Sequence, residues 1–333
     1  MINKILKFIK NEIKNNYIFY IGLIVIILLF SIHLDYNIYS PGSLEDLTDR
    51  IEVENSYKSK GSFNLTYVTA RDGNIFNIIL SYIIPSWDLV SLDKSRFENE
   101  SNKEIIERDK IYLRETSYDA IIAAFKAANK EYKIKQIDVV VTYIFDIADT
   151  DLKVGDIIKS VNNQEVNNFE ELKNIITNLN ENDKVEIKVK RKDKELNCYS
   201  VLKKEEDKVI IGVSLAELKD IETNPKVEFV FKDNESGSSR GLMCALDIYN
   251  KITEYDLTKG RKISGTGVID ENGDVSAISG VKYKLEGSVK KKADIFIVPT
   301  ENYEEALKLK KENNYDIEII EADNLINVIG KLK

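Results

Sequence analysis

Histidine is almost missing from this chain of 333 residues; the single copy is His33. A Ser-His-Asp arrangement needs an imidazole beside its serine, and a Cys-His pair needs one beside its thiol. His33 follows a long apolar run near the N-terminus, where a lone histidine is structural or incidental, so both schemes drop out. Cysteine is nearly as scarce. Cys198 and Cys244 are too few for a thiolate zinc cage and make no disulfide framework, although their scarcity does not fix the redox compartment. Excess positive charge is also lacking: 48 Lys and Arg stand against 56 Asp and Glu, a net charge of −8 that argues against nucleic acid as a partner. No Gly-x-x-x-x-Gly-Lys-[Ser/Thr] phosphate loop occurs, and there is neither an internal repeat nor a low-complexity tract. The remainder is ordinary folded chain, 43% hydrophobic and long enough for about two or three domains.

Residues 234–284 organise the rest. From Asn234 the chain enters Glu235-Ser236-Gly237-Ser238-Ser239-Arg240-Gly241, a small-residue turn that stops where a helix starts. Leu242, Ala245, Leu246, Tyr249 and Ile252 then repeat at the three-and-four spacing of a buried helix face. Such a turn exposes a serine hydroxyl at the mouth of a helix whose first N–H groups have no partners within it and can serve an oxyanion. The same residues also suit a glycine-rich loop capping an ordinary helix. If Ser239 is a nucleophile, its base is not histidine. A lysine takes that role when burial and the lack of a carboxylate partner lower its pKa; Asp or Glu is a poorer match to a serine hydroxyl at neutral pH.

Glu235 to Gly241, Asp256-Leu-Thr-Lys-Gly260, Ile263-Ser-Gly-Thr-Gly267, the Asn272-Gly273 turn and Gly280-Val-Lys-Tyr-Lys284 come in an order and spacing that resemble the Lon-type serine–lysine peptidase domain. The branch resembled lacks an ATPase and carries a PDZ domain between a membrane anchor and the protease. The resemblance is sharpest from about residue 227 onward. It implies that Ser239 is the nucleophile, in the serine slot of the family's Gly-Pro-Ser-Ala-Gly pattern. It makes Lys284 the general base, as the second lysine of Gly-Gly-x-Lys-x-Lys, with Thr266 helping to hold it. Residues two apart on a helix face different sides, so Lys282 belongs to the solvated face. Gly237 and Ser238 are expected to support the site through backbone N–H groups around residues 237–239. Two positions depart from the family. Ser238 replaces its proline, and Arg240 replaces the alanine after the nucleophile. Arg240 is expected to do one of three things: depress the lysine pKa by like-charge repulsion, block the groove, or mark an inactive relative.

At the N-terminus, Lys4, Lys7, Lys10 and Lys14 face a single acid, Glu12, over residues 1–16. Residues 18–34 then carry no formal charge, which predicts an uncleaved transmembrane helix over 17–34 with a cytoplasmic N-terminus. A signal peptide cleaved after His33 is the competing reading. Residues 35–134 form a mixed membrane-proximal region. Pro41-Gly42-Ser43 punctuates it, 64–69 alternates like a strand, 75–84 is apolar but too short to span a bilayer and reads as core or a membrane-proximal surface, and 91–108 is charged and expected to be solvated. Thr116-Ser117-Tyr118-Asp119 offers an N-cap, followed by a helix face of Ile121, Ile122, Phe125 and Ala128.

Residues 135–204 look like a PDZ domain, β-rich with a helix lining the peptide. The signs are a strand at 139–144, the Gly155-Asp156 turn, an amphipathic helix at 169–179 and a strand at 185–189. PDZ domains add an extended peptide to a sheet edge, here expected near Tyr143 and Ile144. Residues 205–333 alternate strand and helix, with 295–298 reading as a buried strand ended by Pro299, an α/β pattern that fits the family's proteolytic domain.

Together these expectations describe a single-pass membrane protein with its PDZ and Lon-type domains extracytoplasmic. It would be an ATP-independent serine endopeptidase with no metal or nucleotide cofactor, acting on extended or unfolded protein and peptide substrates, with homo-oligomer formation left open. The rival is a tethered PDZ scaffold whose Lon-like domain has lost catalysis; Arg240 is the feature that favours it.

Overall fold

The computed structural model describes residues 2–92, 96–232 and 235–333, and omits the side chains of residues 2–4 and 6–9. Asn234, the expected start of the organising stretch, therefore lies outside the described residues, as do the Lys4 and Lys7 side chains and part of the charged 91–108 stretch. The chain divides into two units, Met1–Pro41 with Val68–Arg96 and Gly42–Tyr67 with Phe97–Lys333.

In chain order the first elements are α1 (Ile2–Asn15), α2 (Tyr17–Ser31), β1 (His33–Asp46), β2 (Ile51–Val53), β3 (Ser62–Asn74), α3 (Ile75–Ile83) and β4 (Asp88–Ser91). The transmembrane helix expected over 17–34 is not formed. Among the described residues no helix is long and apolar enough to cross a membrane. α2 is 15 residues long, about 22 Å at 1.5 Å per residue, against a hydrocarbon core of about 30 Å. The sequence count included residues 32–34, but Ile32 turns to extended backbone and His33 and Leu34 enter β1. Within the same unit Tyr36 to Tyr39 of β1 pair antiparallel with β4. None of α3 is buried, so residues 75–84 are not core.

In the larger unit α4 (Asn102–Ala127) comes first. It starts at Ser101, whose hydroxyl accepts the Glu104 N–H while the Glu104 carboxylate accepts the Ser101 N–H, a reciprocal cap. The helix thus begins well before the N-cap expected at Thr116, which lies in its middle. The charged stretch 91–108, which runs into this helix, is not uniformly solvated. Arg108 and Glu100 are both buried and paired at 2.6 Å.

Next come β5 (Tyr132–Ile144), β6 (Asp149–Thr150), β7 (Ile157–Val161), β8 (Gln164–Glu165), α5 (Phe169–Thr177), β9 (Lys184–Arg191), β10 (Lys194–Val201), the β11–β12 hairpin (Lys203–Glu205, Lys208–Ile210) and β13 (Val213–Thr223). One sheet runs in the order β13-β5-β7-β9-β10-β6. It continues past residue 204, because β13 pairs antiparallel along nearly all of β5. That pairing decides the Tyr143 and Ile144 expectation. The two residues pair with Ser214 and Val213, so they lie on an interior strand, and the edge belongs to β13. The sheet's core is Val139, Val141, Ile158, Val185, Ile187 and Val189 with Leu172 and Ile176 of α5. The Asp156 carboxylate of the predicted turn is fully buried and bridged by Arg191 at 2.6 and 2.7 Å.

The last elements are β14 (Val227–Phe229), α6 (Gly241–Ile252), β15 (Lys262–Gly265), β16 (Val268–Ile269), β17 (Val275–Ser276), α7 (Val281–Lys290), β18 (Ile295–Pro299), α8 (Thr300–Asn313), β19 (Glu318–Ala322) and α9 (Leu325–Leu332). β19, β18, β15 and β3 are neighbours in that order and pair in parallel. Every residue of β18 is buried, because helices cover both faces. Ile295 and Ile297 pack with α6 and α9, while Phe296 and Val298 pack with α7 and α8. α6 was expected to be amphipathic, yet it is buried nearly all round, Lys251 being its half-buried exception.

Removing Arg191 leaves Asp156 as a buried charge without its partner. Arg191→Met is expected to lower unfolding free energy by roughly 3 kcal/mol. Urea denaturation followed by circular dichroism measures this; a loss under about 1 kcal/mol contradicts the buried-pair account.

Candidate active site

The turn 235–241 feeds α6 at its N-terminus, and its backbone is held from two sides. Gly237 takes φ of 90°, a left-handed conformation that side chains resist, and its N–H donates to the Asp109 carbonyl of α4 at 2.9 Å. The Ser238 carbonyl accepts from Thr116 Oγ1 at 3.1 Å and from the Gly241 N–H at 3.2 Å. The Ser239 carbonyl accepts from the Gly267 N–H at 2.9 Å and from Thr266 Oγ1 at 3.0 Å. Among the described residues the Ser238 and Ser239 N–H groups donate to nothing. Gly237 was expected to offer such a donor, but its N–H is already committed to Asp109.

α7 brings Lys284 to this turn. Gly280 caps the helix with φ of 78°, and Lys284 lies in its first turn. Lys284 Nζ lies 2.9 Å from Ser239 Oγ and 2.9 Å from Thr266 Oγ1. The Thr266 hydroxyl gives its proton to the Ser239 carbonyl, so it can only accept from the amine. A neutral amine held this way spends one N–H on Thr266 and can turn its lone pair to the Ser239 hydroxyl. Lys284 is 5% exposed, and burial pulls its pKa from the ordinary value of 10.5 down to about 8. Ser239 itself is half-buried.

The structure therefore brings Ser239, Lys284 and Thr266 together. Thr266 follows the end of β15 rather than lying within a strand. Ser238 contributes its carbonyl, and Lys282 sits apart, over the Tyr283 ring. Arg240 does not enter the site. Its guanidinium bonds to Glu235 at 2.8 Å and lies 5.5 Å from the centre of the Phe231 ring. Glu235 also takes Arg50, which lies 3.4 Å from Glu45. Burial alone lowers the Lys284 pKa, so the like-charge effect expected of Arg240 is not at work. A cavity of about 410 Å³ lined by Thr48, Tyr57, Asp247 and Lys251 lies at the opposite, C-terminal end of α6. No group of three or more His, Cys, Asp or Glu among the described residues could hold a metal ion.

Sequence reasoning read Thr116 as a helix N-cap, with no link to the site, and passed over Asp109. The only local signal was a hydroxyl in the middle of an apolar helix face, which usually bonds back to its own helix.

Residues 192–332 match the family described as the Lon protease (S16) C-terminal proteolytic domain. The C-terminal part of this chain is a Lon-type proteolytic domain. Residues 111–199 match the PDZ domain family. A Lon-type domain behind a PDZ domain supports a peptidase. A search of curated proteins returns no match. Among solved structures, the PDZ domain of the SdrC-like protein from Listeria monocytogenes is similar at 24% identity over 23% of this chain and 85% of that one. Its TM-score is 0.22, too low to bear on function.

A buried lysine whose pKa is depressed burdens the fold wherever it is protonated. The unfolded chain keeps Lys284 near 10.5 and the folded chain near 8. The penalty is thus full below pH 8 and fades as pH rises to 10.5. Lys284→Met is expected to raise stability by about 1–3 kcal/mol at pH 7, with the gain shrinking toward pH 10.5. Denaturation midpoints of both proteins across that range measure it. A difference that does not vary with pH contradicts the burial account.

Proposed function

We propose that this chain is an ATP-independent serine endopeptidase that uses Ser239 as nucleophile and Lys284 as general base. The observation that carries the proposal is the 2.9 Å contact between Lys284 Nζ and Ser239 Oγ, made by an amine whose pKa burial brings down to about 8. At pH 7 such an amine is neutral in about one molecule in ten, against fewer than one in a thousand for an ordinary lysine.

In this scheme neutral Lys284 takes the Ser239 proton as Oγ attacks the scissile carbonyl. The oxyanion forms beside the Ser239 N–H, which has no acceptor among the described residues. Protonated Lys284 then gives its proton to the leaving amine, and water releases the acyl group from Ser239 with the same lysine as base. Thr266 keeps the amine aimed throughout. ATP independence rests on the absence of a phosphate loop from these 333 residues, and it favours substrates that arrive extended or unfolded. The PDZ domain is the natural place to capture them, at the β13 edge of its sheet. Inactivity had Arg240 in its favour, and Arg240 faces Glu235 instead.

Ser239→Ala and Lys284→Ala are each expected to lower cleavage of an unfolded protein by at least about a thousandfold. Undiminished turnover in either variant removes the dyad. A second check is the pH profile of the wild type. kcat/KM is expected to rise about tenfold per pH unit up to a midpoint near 8 and to level off above it. A flat profile from pH 6 to 9 argues against a lysine base.

A further inference from the structure

We infer that Thr116 of α4 is a positioning residue that aims the Ser239 N–H at the oxyanion; the inference rests on the serine–lysine reading above. Ser238 carbonyl and Ser239 N–H belong to one peptide group. It is trans, since the cis peptide bond of the described chain is Asn224-Pro225. In a planar trans peptide the two groups point in opposite directions. Whatever grips the Ser238 carbonyl therefore sets the direction of the Ser239 N–H. The grip comes from Thr116 Oγ1 at 3.1 Å, with the Gly241 N–H at 3.2 Å as the weaker second partner.

Several observations set this contact apart from ordinary packing. Ser117, the next residue, bonds back to the Leu113 carbonyl of its own helix at 2.6 Å, as mid-helix hydroxyls usually do. Thr116 instead spends its hydroxyl on a loop 122 residues away in sequence. It is 3% exposed, so no water competes freely for that bond. The approach needs Gly241, because a Cβ there would come within 2.3 Å of Thr116 Oγ1. The helix turn that carries Thr116 is itself anchored. Glu115 accepts the Glu217 N–H of β13 at 3.1 Å, and Asp119 accepts Lys219 Nζ at 2.9 Å. On its far side Ser239 is pinned by Gly267 and Thr266, so both peptide planes flanking the nucleophile are held. Thr116 falls within the stretch that matches the PDZ family and outside the one that matches the proteolytic domain. The peptidase turn is thus completed by a residue outside the stretch that matches the proteolytic domain.

The test uses the full chain with Thr116→Val, which keeps shape and loses the hydroxyl, and Thr116→Ser, which keeps the hydroxyl. Thr116→Val is expected to lower kcat about tenfold to a hundredfold with KM within about twofold. It is also expected to weaken a peptide aldehyde, whose hemiacetal presents the oxyanion, by a similar factor. Thr116→Ser restores both, and the pH midpoint stays near 8 because Lys284 is untouched. A Val variant that loses thermal stability but keeps kcat and aldehyde affinity overturns the inference. So does a rise in KM alone. Should the Val variant fail to fold, a crystal structure of the wild type with the aldehyde decides. The Ser239 N–H on the hemiacetal oxygen with Thr116 on the Ser238 carbonyl is the expected result, and a flipped 238–239 peptide overturns it. Wild-type turnover equal to that of Ser239→Ala is a separate failure, of the serine–lysine reading itself.

Discussion

An amine buried among hydroxyls, with no carboxylate to hold its charge, is the constraint on which the rest of this molecule depends. Two buried lysines in the same fold show how much the partners matter. Lys219 is 9% exposed and Lys284 is 5% exposed, so both lose hydration to a similar degree. Burial works against the charge of Lys219 as well, but the Asp119 and Glu271 carboxylates outweigh it and hold its pKa above the ordinary value. At Lys284 nothing opposes burial, and the pKa falls to about 8. The difference between a structural cation and a candidate base lies in two acids, present at one site and absent from the other.

Keeping that amine dry and aimed needs a rigid surround. β18 is buried on both faces, and α6 is enclosed nearly all round, so the turn that enters α6 and the first turn of α7 have little freedom. Glycines appear where backbones must come close: Gly241 against Thr116, and Gly265 against Met243 and the Ile297 carbonyl. The Thr266 hydroxyl joins the parts, bonding both the Ser239 carbonyl and the Lys284 amine. Even the departures from the family pattern fit this frame. Arg240 is held by Glu235 and Phe231, away from the amine, and Ser238 offers its carbonyl to α4.

α4 ties the two matched domains together. It is 26 residues long, packs against α6 of the proteolytic domain and covers the β5–β13 face of the PDZ sheet through Ile111, Val140, Ala216 and Leu218. Residues 115, 116 and 119 of one helical turn reach β13, the Ser238 carbonyl and Lys219. Glu115 lies half-buried there, and desolvation lifts its carboxyl to about 7. The PDZ edge strand and the nucleophile turn therefore rest on the same short stretch of helix.

Much of this was legible in the chain itself. The near-absence of histidine and the small-residue turn before an apolar helix drew attention to Ser239, and the resemblance to the Lon-type motifs, not spacing, pointed to Lys284. The unbroken apolar run 295–298 announced a strand buried on both sides, because local spacing reports which faces of an element are covered. The sequence could not say where α2 would stop, since Ile32 is as apolar as its neighbours and only pairing partners made the next residues a strand. Nor could it place the PDZ edge, which Tyr143 and Ile144 lose to a strand 70 residues further on. Thr116 and Arg240 belong to the same class. Composition and period set what each residue can do, and the hydrogen bonds that choose among those options join segments far apart in sequence, so tertiary structure alone decided them.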